Sequence, residues 1–407
     1  MPTAPNRRRV RSWPAVTALA LVLATVPACS HGSPSPPAVL TTAPPRTVPR
    51  PTRPTRSTAP PPSPAVAGVG HRWLCVAHPP RTAADLRVVL NHHDPRWQGG
   101  DGAVDVALPD GRVLWIFGDT TFGQVTSRGA LVAGHWGIAH GSLLVEAGRC
   151  VYPFYRAGTA APANLVPSPG RHDAYWPGAG WVSPDHRSLL LMLSHVRLTA
   201  AAHSAFGFTL AGNAIARFSL PDLRLRSIEP LRPPPISHVH AWLGQPLLVG
   251  RWLYLYSVAD RTQYVARAPA ATLNWSSVHG WQYWDGRAWS ADRRSLQAMV
   301  VSHPPLAGLA VSRFGSRFLA IAKTQEAFSS DVAGWIAPSP EGPWTSLGTV
   351  ATTDPERPSL SYAAHAVTDI PGANPVLIWS ISPSASRTIR GAGIAVVPLP
   401  DRLRRVR

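Results

Sequence analysis

The 407-residue chain has a single lysine, Lys323, three cysteines and three methionines, and only 15% of it is charged. Each scarcity excludes something. Three cysteines without paired short spacing give no zinc-ligand pattern. The longest apolar run, about Pro14 to Val26, is shorter than the roughly 20 residues a membrane-spanning helix needs. The formal charge of +18 is carried by scattered arginines. Eight of them (7, 8, 9, 11, 46, 50, 53 and 56) lie ahead of residue 69, which leaves about +10 on the remainder. No basic stripe of the kind that follows a phosphate backbone is formed, so nucleic acid is not an expected partner. Stretches of helical periodicity are also nearly absent after residue 70.

The segment that ends at Cys29 runs from a basic stretch (Arg7, Arg8, Arg9, Arg11) through the apolar run to small residues, the order of an export signal. The Val26-Pro27-Ala28-Cys29 ending resembles the bacterial lipobox, which implies that Cys29 becomes the lipid-modified first residue of a mature lipoprotein. Residues 30–68 are Pro, Ser, Thr, Ala and Arg with few large apolar side chains, so they cannot bury a core and read as a stiff, disordered tether. The expected location is therefore the outer face of the cell membrane, with a lipid holding the chain to it. In that oxidising setting Cys75 and Cys150 can form a disulfide. The high-Arg, low-Lys composition also resembles the coding bias of a GC-rich actinobacterium.

Residues 69–402 read as one all-β domain. One pattern recurs five times: a strand, a tight turn, then an intensely apolar strand. The turns fall around Gly111, His186, Gly250, Gly315 and Gly372, so their spacing along the chain is nearly even. Even repetition of one antiparallel unit is the mark of a β-propeller, here with five blades of four strands, the outer strands supplied by segments such as 213–224 and 334–346. A two-sheet sandwich would not require evenly spaced copies of one hairpin. Trp115, Trp252 and Trp379 fall within apolar strands and read as blade packing.

The inner strands of a propeller converge, so polar residues at one end of them share a cup. The richest segment is GGDGAVDVALPDGRVLWIFGDTTFG, residues 99–123. With its turn near Asp110, antiparallel pairing sets Asp101 opposite Asp119. Two carboxylates so close repel, which a structural hairpin does not need and acid–base chemistry does. The plainer reading has Asp119 capping a turn through Thr120 and Thr121 while Asp101 orders the Gly99-Gly100 loop. Asp105, on the same strand, rivals either carboxylate.

This segment resembles the opening blade of the actinobacterial endo-D-arabinanases, five-bladed propeller glycoside hydrolases formerly catalogued as a domain of unknown function, and more distantly the arabinanase and xylosidase propellers. The close resemblance is confined to segment 99–123. It implies that the aspartates beginning the first inner strand and ending the next, here Asp101 and Asp119, are the catalytic pair; the expected mechanism has Asp101 as base on water and Asp119 as acid on the leaving oxygen. The chain departs from that family after the motif, reading HWGIAHGSLLVE with His135 and His140 where members commonly carry an Asn-containing segment.

Further cup candidates that could bond to or stack on sugar rings are Asp173, Tyr175 and Trp176 in blade two, His238, His240 and Trp242 in blade three, and Tyr362 and His365 in blade five. Glu326 is a candidate third carboxylate. The expected function is cleavage of arabinofuranosyl linkages in a cell-envelope polysaccharide such as arabinogalactan or lipoarabinomannan, by a monomer. The alternative is a non-catalytic propeller that binds glycans or scaffolds a surface complex. A sialidase-like enzyme would need a cup of arginines, and only Arg313 is placed for one. No cofactor or metal is expected: propellers of this kind can hold an axial calcium, but nothing in the sequence calls for it.

Overall fold

The computed structural model describes residues 74–404, except 128–129, 157–161, 199–207, 232–241, 243, 260–261, 272–274, 276, 278, 302–308, 325–328, 354–358 and 384–392. Cys29 and the tether lie outside the described residues. The rest forms five antiparallel sheets in chain order, a five-bladed β-propeller.

Blade one contains β1 (Leu74–Cys75), then, after helix α1 (Ala83–Leu90), β2 (Gly99–Ala107), β3 (Val113–Val125), β4 (Leu131–Ala147) and β5 (Cys150–Phe154). Blade two is β6 (Asp173–Val182), β7 (Ser188–Leu198), β8 (Phe208–Ser219) and β9 (Arg224–Leu231). Blade three is β10 (Leu247–Val249), β11 (Trp252–Ala259), β12 (Thr262–Pro269), β13 (Gln282–Trp284) and β14 (Trp289–Ser290), with β15 (Val300–Val301) also pairing to β12. Blade four is β16 (Ala310–Phe314), β17 (Arg317–Lys323), β18 (Asp331–Ala337) and β19 (Thr345–Thr352). Blade five is β20 (Ser359–Val367), β21 (Val376–Pro383) and β22 (Gly393–Pro398), followed by a short helix α2 (Asp401–Arg404). The expectation of four strands per blade therefore holds for blades two and four. Among the described residues blade one has five strands, blade three six and blade five three.

All five tight turns join the first and second strands of a blade, counting blade one from β2. Each carries a left-handed residue, four times glycine and once His186 at φ 59°. The apolar second strands then supply both faces of every blade. Five buried clusters result, one per seam between neighbouring blades: Leu114, Ile116, Leu143 and Val145 meet Leu189, Leu191 and Leu193 between blades one and two, for example. Trp115 and Trp379 are buried in such seams, while Trp252 packs at the edge of one with Arg267 over its ring at 4.3 Å.

The fifth seam closes the ring, and there the sequence-based expectation missed a helix. Helix α1 starts at a capping box, in which Thr82 accepts from the Asp85 N–H and Asp85 accepts from the Thr82 N–H. It buries Leu86, Val89 and Leu90 with Ile378, Ile394 and Val396 of blade five and Trp115 and Phe117 of blade one. Its polar side chains meet the edge of β22 as a fourth strand would. Arg87 Nη2 donates to Val396 O at 2.8 Å, and the Asn91 amide both donates to Ile394 O and accepts from Ile394 N, each at 2.8 Å. Two turns long, the helix is too short to stand out as periodicity.

Cys75 and Cys150 are directly opposed on β1 and β5 and are joined in a disulfide, as expected. The bond closes a 75-residue loop and fastens the entry segment to blade one. Replacing both cysteines with serine should lower stability by about 4 kcal/mol on the chain-entropy account, read as a lower guanidinium midpoint.

Candidate active site

The cup end is where the inner strands begin, opposite the tight turns. The β2–β3 ladder keeps the expected pairing on both sides of Asp101, with Gly100 opposite Thr120 and Val104 opposite Ile116. It breaks in between. Two shifts, between Gly100 and Gly102 and between Gly102 and Val104, lift Asp101 out of the ladder, so Asp101 and Asp119 are not the directly paired residues that a regular hairpin implies. The first shift leaves Gly118 and Asp119 facing Asp101 alone, and the second, at Ala103 with φ 61°, restores the count. Paired bulges of this kind re-aim side chains beside functional sites.

Each part of the break has its support. Gly102 N donates to Ser380 Oγ on blade five at 2.8 Å. The Asp101 carboxyl lies over Gly118, where a Cβ would stand 2.8 Å from Oδ1, so position 118 has no room for a side chain. Asp101 Oδ2 accepts from Tyr362 Oη at 2.9 Å, which brings the blade-five candidate Tyr362 into the site. Asp101 Oδ1 is buried. Burial, and then the neighbouring charge of Asp119, push the Asp101 carboxyl up to about 7, against the pull of the Tyr362 hydroxyl and nearby backbone N–H groups. Asp101 in turn raises the Tyr362 phenol far above its usual range, after burial itself.

Asp119 lives differently. Its side chain is 35% exposed, and Oδ1 lies 2.7 Å from Nδ1 of His140, the residue directly opposite on β4. That contact raises the His140 imidazole, more than burial lowers it. His140 is fixed from behind by its own backbone N–H, which donates to Asn164 Oδ1 at 2.8 Å. Trp176 of blade two brings Nε1 to 3.5 Å from the same Nδ1. His140 was visible in sequence only as a departure from the resembled family. A register shift between Gly123 and Val125 sets 119 against 140, so spacing from the end of the hairpin alone would not have found the pair.

The other candidates divide. Asp173 begins β6 at the cup end but is held within its own blade, 3.1 Å from Arg197 Nε and 3.4 Å from His195 Nε2, and Tyr175 packs on the His195 ring. Trp242 is fully buried in the seam between blades two and three, its backbone N–H donating to Asn213 Oδ1, and is not a cup residue. His365 is also buried, its Nδ1 bound to Ala363 O, and lies beneath the site. Asp105 pairs across from Trp115 towards the tight-turn end, where burial and Asp369 raise it to about 7, and it does not join the pair. Arg313 sits beside the Gly315 turn over the Phe318 ring, so the sialidase reading loses its arginine. His238, His240 and Glu326 lie outside the described residues. Among the described residues no group of three or more His, Cys, Asp or Glu could hold a metal.

Comparison with known proteins places this geometry. The family model described as a domain of unknown function, DUF5005, matches residues 89–383. No curated protein matches the chain in sequence. Among solved structures, a presumed hydrolase from Bacteroides ovatus superposes with a TM-score of 0.58 at 17% identity, over 77% of this chain and 89% of that one. An endo-arabinase from Bacteroides thetaiotaomicron gives 0.42 at 10% identity, over 76% and 98%, and an exo-β-1,3-galactanase from Phanerochaete chrysosporium gives 0.42 at 11%, over 74% and 60%. At 17% identity the likeness to the Bacteroides ovatus structure is one of fold.

The raised Asp101 carboxyl has a consequence for stability. Folded Asp101 holds its proton up to about pH 7, whereas its ordinary value is 3.8, so the folded state binds more protons between those limits and stability falls as pH rises through them. Asp101→Asn, which never ionises, should melt above wild type near pH 8, with the gap closing towards pH 4 in thermal unfolding.

Proposed function

The chain belongs to the DUF5005 family, and on that footing we propose that it is a glycoside hydrolase using Asp101 and Asp119 as its carboxyl pair. The observation that carries this is the unequal treatment of two neighbouring carboxyls in the cup. Asp101 has one carboxyl oxygen shielded from solvent and is raised, while Asp119 is 35% exposed and paired to a basic imidazole. Unlike environments around two neighbouring acids assign an acid and a base. They favour the reverse of the roles expected from the sequence. Asp101, still holding a proton near neutrality, delivers it to the leaving glycosidic oxygen. Asp119, the exposed carboxylate beside His140, takes a proton from the attacking water or attacks the anomeric carbon itself, and the configuration of the first product distinguishes the two. Tyr362 orients Asp101 and tempers its rise.

For the substrate we propose an arabinofuranose-containing polysaccharide of the cell envelope, supported by the likeness of residues 99–123 to the arabinanase opening blade. Cys29 would hold the enzyme beside that substrate by its lipid. Incubation with arabinogalactan and chromatography of the products tests the reading. Asp101→Asn and Asp119→Asn should each lower turnover by about a hundredfold or more. The rate should fall above pH 7 as Asp101 loses its proton, and Tyr362→Phe, which removes a bond favouring the ionised form, should move that limb upward. Binding without any released product would instead identify a glycan-binding propeller. Cys29→Ala should transfer the protein from the membrane fraction to the medium.

A further inference from the structure

The β3–β4 hairpin runs past the acid pair, and its two faces are unlike. Three directly opposed pairs alternate along it: Asp119 with His140, Thr121 with Ile138, and Gly123 with Trp136. Residues two apart on a strand share a face, so His140, Ile138 and Trp136 line one side of β4. The other face turns inward. Phe122 covers Gly137, where a Cβ would lie 2.7 Å from the ring, and packs on Tyr155. The outward face keeps Ile138 50% and Trp136 44% exposed, and Gly123 has no side chain to cover the indole.

Blade two meets this hairpin at His140. Trp176, close to His140, packs edge-on against Phe208 at 4.6 Å, and Leu210, two positions further along β8, is 38% exposed. A contiguous exposed apolar surface can mark a binding site, and Ile138 and Trp136 are neighbours on one face of β4. This one is continuous with the acid pair. The length of β-strand between them places Trp136 about 13 Å beyond His140, the reach of a few sugar rings.

We propose that Trp136 and Ile138 of blade one form an extended glycan-binding wall, on which the sugar units next to the scissile bond stack their C–H faces. The proposal rests on the carboxyl-pair reading for what happens at the end of the wall, and it makes this protein a reader of chains rather than of single terminal sugars. Asp119 and His140 are polar and bond hydroxyls or act on the linkage, whereas the wall is apolar and rewards chain length.

The test uses soluble arabinan, galactan and xylan oligosaccharides of graded length with the full chain. Binding is followed by calorimetry in the Asp119→Asn background, and kcat/KM is measured in the active protein. Affinity and kcat/KM should rise with chain length, and Trp136→Ala should remove up to about tenfold of that gain. Trp136→Phe, which keeps an aromatic face, should retain most of it, and a normal melting temperature establishes that each variant is folded. Equal loss at every chain length, an unaltered length dependence, or binding to none of the oligosaccharides overturns the wall. So does a Trp136-dependent association with anionic phospholipid vesicles in place of glycan. A protein that binds long oligosaccharides through Trp136 yet releases no product would uphold the wall while refuting the hydrolase reading. Hydrolysis indifferent to Trp136 would do the opposite.

Discussion

Closure of the ring between the last blade and the first is the constraint on which the rest depends. Five wedge-shaped sheets bury their apolar strands only against one another, so one open seam would leave a whole cluster wet. Here the seam is closed from outside by α1, whose Arg87 and Asn91 satisfy the edge of β22. Just before the helix, Arg81 Nη1 lies 2.6 Å from Glu146 Oε1 on β4, and its carbonyl accepts from Asn374 N at 2.9 Å beside the blade-five turn. The nearly buried Glu146 also receives Trp115 Nε1 at 3.3 Å. Ion pairing with a buried carboxylate contributes little net stability but is costly to break, and so fixes the geometry of the seam.

The candidate site sits on that seam. Ser380 and Tyr362 come from blade five, while Asp101 and its bulge belong to blade one. A raised carboxyl is a destabilised one at neutral pH, and the fold sustains it because neighbours on two blades leave Asp101 no other position. The compensating bulges do the local part by turning Asp101 out of the ladder while returning the strands to register. On the blade-two side the partners are Asn164, behind His140, and Trp176. The pair is thus shared among three blades, which no single hairpin could achieve.

Much of the architecture was legible in advance. The five tight turns, the apolar second strands, the Cys75–Cys150 bond and the approach of Asp101 to Asp119 all follow from patterns within tens of residues. Trp242 and His365 have the residue types of a sugar cup and stand near the starts of blades, yet both are buried, and for His365 the register shift after Tyr362 reverses the side the residue faces. Asp105 fell to the other end for a related reason, strand position counting for more than parity.

Local chemistry along the chain determined the β-rich repeat and the two acidic positions, because turn residues, apolar alternation and short spacings act over one hairpin at a time. Tertiary structure alone decided which acid is raised and which is paired to an imidazole, and that His140, on the next strand of the blade, joins the pair. It also decided that Trp136, further along the same strand, stands open to solvent. Burial and charge proximity depend on how separate blades meet, and that is fixed only when the ring has closed.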